Sequence, residues 1–227
     1  MAAKSIKFGF FVIILAAIGF GGWKYFSHSP YKEAVMTIHK LLTENTELKQ
    51  AITNLTEEDQ IGYAKIISQE EKDGTLYTTI KFVETARNDN LKKILEKEYT
   101  IEGDIVHFDA LIVKFGNKMV TDGKAKALYL WRRIYGEKMA PEDGYAIEEP
   151  GTEPQRYKNL LEALPVEHCK LFWTNIWDLA NDPNKLRDYG IDAIYGDVLY
   201  FKMKKGLVYT FKITPTGNFY YFAALDI

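Results

Sequence analysis

Three hydrophobic periods follow one another along the chain. Residues Phe8 to Trp23, FGFFVIILAAIGFGGW, form an apolar run without a charge; Tyr31 to Leu55 repeat apolar residues at helical spacing; beyond Asp59 the alternation shortens to two. As an α-helix the first run covers about 24 Å, slightly short of a hydrocarbon core of about 30 Å. Lys24 can snorkel, and Trp23, Tyr25 and Phe26 suit the headgroup level, which extends the span to Lys7 to Phe26. The pattern predicts an uncleaved, single-pass signal-anchor within residues 1–28. A cleaved signal peptide with Ala17-Ile18-Gly19 as its processing site is the alternative, but the aromatic flank lies beyond that site and would have no purpose after cleavage. Lys4, Lys7 and the free amine face Lys24 and Lys32, the latter partly offset by Glu33. This bias orients the bulk of the chain away from the cytoplasm, in a bacterium toward the periplasm.

The second period begins at Ser29-Pro30, an N-cap followed by the one helical position where a missing N–H costs nothing, and predicts a helix to about Leu55. Written as heptads, the a positions are Tyr31, Ile38, Asn45 and Ile52 and the d positions Ala34, Leu41, Leu48 and Leu55. A buried Asn at a is a device for fixing register in a two-stranded coiled coil. On that reading residues 29–58 are a stalk that oligomerises through Ile38, Leu41, Asn45, Leu48 and Ile52. Val35 and Leu42 fall at e and widen the stripe, as in a helix that packs on its own domain, so both arrangements stay open.

Over about the first quarter of the chain, the hydrophobic run, the proline at its end and the helix beyond resemble type IV pilin-like proteins. The Gly9-Phe10 step after Lys7 is similar to their prepilin processing site, although Ile14 stands where they usually carry a glutamate. The resemblance implies a helical stalk bearing a β-rich head, the subunit of an extracellular filament.

Beyond Asp59, period two predicts strands at Ile61 to Ser68 and Thr75 to Val83, joined across Lys72-Asp73-Gly74, with more at Tyr99 to Glu102, Ile105 to Phe115 and Ala127 to Tyr135. Asn117 and Asp122-Gly123 read as turns, and an antiparallel meander is the natural arrangement. Three further strands, Asp197 to Lys202, Leu207 to Ile213 and Phe219 to Leu225, close the chain. Between the two sets lies the polar loop Gly136 to Pro154, whose acids Glu142, Asp143, Glu148, Glu149 and Glu153 are expected to form a solvated face. Apolar residues at helical spacing follow, Tyr157 to Leu164 and Cys169 to Ala180, then a short helix from Asp182-Pro183 to Gly190. The fold class expected is α+β: a transmembrane helix, a long amphipathic helix, and over residues 59–227 a mainly antiparallel sheet domain with two or three inserted helices. Within it GDIVHF at Gly103 to Phe108 returns as GDVLYF at Gly196 to Phe201. Without similarity on either side, this reads as two convergent turns into strands.

Composition narrows the chemistry. A net charge of -2, from 29 basic against 31 acidic residues, offers no footprint for nucleic acid. The single cysteine, Cys169, excludes an intrachain disulfide and a multi-thiolate metal site. No phosphate loop, HExxH, GxSxG or paired CxxC occurs, and no two of His28, His39, His107 and His168 have ligand spacing, so no cofactor or metal is expected. One polar constellation remains. His107 and Asp109 share a strand face with Ile105 and Leu111, and Arg132 and Arg133 on a later strand could pair with Asp109 or bind an anion. A structural network that satisfies itself is the favoured reading of that group. Together these features predict a non-enzymatic membrane-anchored protein whose extracytoplasmic domain binds another protein, either its own copy or a membrane-complex partner. The alternatives are a tethered enzyme or anion-binding domain using His107, Asp109 and Arg132, and a pilin-like subunit.

Overall fold

The computed structural model describes residues 15–24, 30–87, 89–149, 151–157, 173, 176, 186 and 190–226. The chain divides into two compact units, Met1–Gln50 and Ala51–Ile227. In the first, residues 15–24 are helical (α1), and α2 runs from Pro30 to Thr56, within one residue of its predicted end and on into the second unit. The predicted anchor residues 8–14 and Ser29 lie outside the described residues, among which no helix is long and apolar enough to cross a membrane.

Turn chemistry sets the register of the second unit. Asp73 and Gly74, with φ of 53° and 76°, hold the left-handed geometry that a two-residue hairpin needs at both centre positions, and they join β1 (Asp59–Lys72) to β2 (Thr75–Ala86). Next come β3 (Asp89–Glu102), β4 (Ile105–Phe115), the single-turn helix α3 (Asn117–Thr121), β5 (Leu128–Gly136) and the two-residue β6 (Tyr145–Ala146). Three more strands, β7 (Ile191–Lys202), β8 (Leu207–Ile213) and β9 (Phe219–Leu225), close the unit. Every pairing is antiparallel, in one sheet ordered β3-β2-β1-β8-β9 and a second ordered β6-β5-β4-β7. The class is thus α+β with mainly antiparallel sheets, as expected. The simple meander is not: β8 returns to β1 and β7 to β4, so the closing strands divide between two sheets instead of extending one.

The inner faces of both sheets share one core. Ile61 and Ala64 of β1, Ile80 and Phe82 of β2, Phe108 and Ile112 of β4, Tyr129 and Trp131 of β5, and Phe211 of β8 are all within it. Trp131 is its centre, 5.0 Å from Phe82, 5.3 Å from Phe211 and 5.5 Å from Phe219 between ring centroids, each in the edge-to-face geometry aromatic rings prefer. The other face of the second sheet is also covered: Leu111, Val113, Leu128 and Leu130 pack with Tyr157, Trp173, Ile176 and Leu186. Trp173, Ile176 and Leu186 are helical, as the spacing predicts, while residues 158–172, which carry most of the first predicted helix, lie outside the described ones.

Three expectations need correction. β3 begins at Asp89, ten residues before Tyr99, because none of residues 89–98 of this edge strand is buried and Lys92, Lys93, Glu96, Lys97 and Glu98 break any alternation there. Asn117 starts a helical turn. Gly196 does not begin a strand as Gly103 does, because β7 starts at Ile191 and Gly196 lies within it. The two similar hexapeptides are in fact cross-strand neighbours, with Val106 opposite Phe201, His107 opposite Tyr200 and Phe108 opposite Leu199.

Trp131→Ala is expected to lower unfolding stability by about 3–5 kcal/mol, since an almost fully buried indole leaves a cavity among rigid aromatic neighbours. Equilibrium denaturation, read by tryptophan-independent far-UV circular dichroism, checks it.

Candidate functional site

Along β4 the residues Val106, Phe108, Ala110 and Ile112 face the shared core, which leaves His107, Asp109, Leu111 and Val113 on the opposite face. His107 lies between two tyrosines: its ring stacks on Tyr135 at 4.6 Å and 3° and on Tyr200 at 5.7 Å and 20°. Its Nδ1 is buried and has no hydrogen-bond partner. The imidazole therefore serves as the middle plate of a three-ring stack.

Asp109 is buried beside it and draws both arginines. Arg132 Nη1 lies 3.5 Å from Oδ1 and Arg133 Nε lies 3.2 Å from Oδ2. Neighbouring residues on a regular strand would point to opposite faces. Here the register slips between Asp109 and Ala110, which pair with Arg133 and Trp131, so Arg132 is the extra residue of a β-bulge. The bulge puts Arg132 and Arg133 on one face and resumes the inward phase at Ile134. Two residues complete the arrangement. Gly196 leaves room for Arg132, whose Nη1 would lie 3.3 Å from a Cβ there, and Arg133 also donates to the carbonyl of Pro141. Burial raises the Asp109 pKa, against the pull of Arg132 and Arg133. The sequence-predicted group is thus assembled, as an internally paired cluster of one carboxylate and two guanidinium groups. Two clefts of this unit are lined by other residues, the larger by Arg87, Lys92, Lys93, Lys124, Lys126 and Arg156 among others, the smaller by Leu130, Trp131, Glu148 and residues 151–155.

A second buried cluster escaped the sequence reading. Glu84 of β2 faces inward in phase with Ile80 and Phe82, and that phase, a carboxylate on the apolar face, was the signal available. Arg156 Nη1 lies 2.8 Å from Glu84 Oε1, Tyr129 donates its hydroxyl to the same oxygen at 3.0 Å, and Arg156 also binds Glu148. The Arg156 guanidinium lies over the Tyr129 ring at 4.3 Å and the Tyr157 ring at 4.8 Å. Glu148, expected on a solvated acidic face, turns inward to accept the Trp131 N–H at 2.9 Å. One guanidinium thus serves two carboxylates. Glu84, with 1% of its side chain exposed against 18% for Glu148, is raised to about 7 by burial and by the Glu148 charge, against the attraction of Arg156. Burial opposes the Arg156 charge, yet Tyr129, Glu84 and Tyr157 hold its pKa above the usual value.

Arg156 also lines the larger cleft, of about 910 Å³, together with Arg87, Lys92, Lys93, Lys124 and Lys126. Carboxylates already meet most of these cations: Asp59 faces Arg87 at 3.6 Å and Lys126 at 3.5 Å, Glu96 meets Lys93 at 2.7 Å, and Asp122 meets Lys124 at 3.1 Å. The cleft is therefore a neutralised wall.

The predicted oligomerisation residues lie along α2. Ile38, Leu41, Leu48 and Ile52 are 56%, 58%, 64% and 59% exposed, and Asn45 and Leu42 are exposed beside them. Within residues 1–50 no described residue covers the stripe.

Two measurements test the clusters. Asp109→Ala is expected to cost about 1–3 kcal/mol, less than a fully desolvated pair would, because Arg132 and Arg133 keep 30% and 24% of their side chains in water; the shift of the urea midpoint reads it. For Glu84 the folded pKa lies above the unfolded value near 4.5. Between pH 4.5 and about 7 the folded chain keeps a proton that the unfolded chain has released, so stability falls as pH rises, by about 3 kcal/mol in all. Glu84→Gln should flatten that slope in urea titrations at pH 5, 6, 7 and 8.

Among the described residues no group of three or more His, Cys, Asp or Glu side chains is placed to hold a metal ion. Comparison of the chain with protein-family models, curated proteins and solved structures finds no match.

Proposed function

We propose that the protein is a non-enzymatic, single-pass membrane-anchored protein whose extracytoplasmic α+β domain takes part in protein–protein interaction within a membrane-associated assembly, with α2 as its association element. The observation that carries this reading is the uncovered stripe Ile38, Leu41, Leu48 and Ile52 on a 27-residue helix. Side chains of this size each release about 1.5–3 kcal/mol when fully buried, and a parallel partner helix in heptad register covers them. Asn45 at an a position then fixes that register and the two-stranded state. The apolar run Phe8 to Trp23, with its aromatic and lysine flank, supports the anchor, which would hold the copies parallel and raise their effective concentration.

Sedimentation equilibrium of the full chain in mild detergent tests the reading. The protein should sediment as a dimer, and Leu41→Asp combined with Leu48→Asp should weaken dimerisation at least about 100-fold, equivalent to about 2.7 kcal/mol. Asn45→Ile should raise thermal stability while admitting trimers or tetramers. A wild-type chain that remains monomeric at high concentration ends the proposal.

A further inference from the structure

The two ends of the five-stranded sheet differ in kind. β3 ends it on one side with Lys92, Lys93 and Lys97 and with two register irregularities against β2, the usual devices that keep a strand edge from pairing with another chain. β9 ends it on the other side as Phe219-Tyr-Tyr-Phe-Ala-Ala-Leu225, without a charge, a proline or a register shift. Phe222 and Leu225 are 61% and 73% exposed, and Ala223 and Ala224 are exposed between them.

The ladder to β8 shows which backbone groups of β9 lack a partner there. At one end Thr214 donates to the Asn218 carbonyl, and at the other Asp226 donates to the Gly206 carbonyl, so both of these are hydrogen-bonded pairs. Antiparallel pairs alternate in type, which makes Tyr220, Phe222 and Ala224 the residues bonded to β8. The N–H and C=O groups of Phe219, Tyr221, Ala223 and Leu225 point away from the sheet. Water or another extended backbone can satisfy such a row, and a strand offers all of its bonds in register.

We infer that β9 pairs with β9 of a second copy, antiparallel about a two-fold axis at Phe222, joining the two five-stranded sheets edge to edge. In this register Phe219 faces Leu225 of the second copy and Tyr221 faces its Ala223, and the reciprocal pairs follow by symmetry, so all four outward residues of each strand become hydrogen-bonded. Tyr221 meets Ala223 and Tyr220 meets Ala224, large against small, while Phe219 meets Leu225 in an apolar pair and Phe222 meets its own mate in an aromatic one. No charge opposes a like charge anywhere along the seven residues. An unrelated extended peptide would meet the same hydrogen-bonding row but not this size complementarity. The two-fold is perpendicular to the sheet, so both copies carry their second sheet on the same side. This interface is separate from the α2 stripe.

Cysteine cross-linking tests the register in the full chain in detergent, with the single native thiol removed by Cys169→Ser. Across the two-fold, opposed Cβ atoms of a non-hydrogen-bonded pair lie about 4.5 Å apart, within reach of a disulfide. Phe222→Cys should oxidise to a covalent dimer. Tyr220→Cys and Ala224→Cys should each give no covalent dimer alone and cross-link when the two proteins are mixed. Adding Ala223→Pro to Phe222→Cys should cut cross-linking at least tenfold, because it removes an outward N–H and leaves the bonds to β8 intact. Repeating the series with Leu41→Asp and Leu48→Asp keeps association through α2 apart from association through β9. If folded Phe222→Cys fails to cross-link, or all three positions cross-link equally, the inference is overturned.

Discussion

β4 gives little of either face to water between Phe108 and Val113, and the arrangement of the second unit depends on that constraint. One face is pressed into the aromatic core shared by the two sheets, the other lies beneath Trp173, Ile176 and Leu186, and both edges are paired, to β5 and to β7. A charge on a strand so nearly enclosed must find its counter-charge within the fold, because an unpaired buried charge costs several kcal/mol. Asp109 is the group at issue, and its neighbours are arranged around it: a bulge in β5 that brings Arg132 and Arg133 to one face, and a glycine in β7 that makes room for Arg132. His107 stacks between tyrosines from both adjacent strands, and its buried Nδ1 has no hydrogen-bond partner.

Of the three buried carboxylates, Asp59, Glu84 and Asp109, the last two show opposite charge balances. Asp109 has two guanidinium partners, both partly in water, so its negative charge is more than matched. Glu84 has a share of one, Arg156, which Glu148 also claims. With too little positive charge for both, the more deeply enclosed carboxyl holds its proton more tightly, while the Tyr129 hydroxyl and the flanking aromatic rings keep the guanidinium in place. The cluster ties β2 and β5, from different sheets, to the loop that carries Glu148 and Arg156, so charge pairing holds the rim of the sandwich where the aromatic core ends.

The surfaces left apolar contrast with this internal economy. Within the second unit the charged groups of the basic cleft are largely met by carboxylates, whereas Ile38, Leu41, Leu48 and Ile52 of α2 and, separately, Phe222 and Leu225 of β9 are exposed apolar residues. β3 and β9 bound one sheet, and only β3 carries the lysines and irregularities that discourage pairing. Association is the chemistry for which such surfaces are suited, since each offers either apolar area or backbone hydrogen bonds that water satisfies less well than a matched partner.

Local physics made much of this legible beforehand. Ile105–Phe115, Leu207–Ile213 and Phe219–Leu225 are strands whose bounds follow from alternation and flanking turns, α2 ends one residue from its predicted end, and Asp109 with its arginines could be singled out because all three interrupt apolar strands. Adjacent arginines followed by Ile134 are also the one place where the β5 alternation slips, which marks the bulge. What the sequence could not specify depends on pairs far apart in the chain. Whether β7 joins β4 or β9, whether the two GD hexapeptides duplicate or face one another, and whether Glu148 meets water or Arg156 are decided by which strands become neighbours when two sheets close over a common core. Periodicity reports which face of an element is buried; it carries no information about what buries it, and that second fact is set only when the hydrophobic faces of distant segments find a packing that also satisfies their buried polar groups.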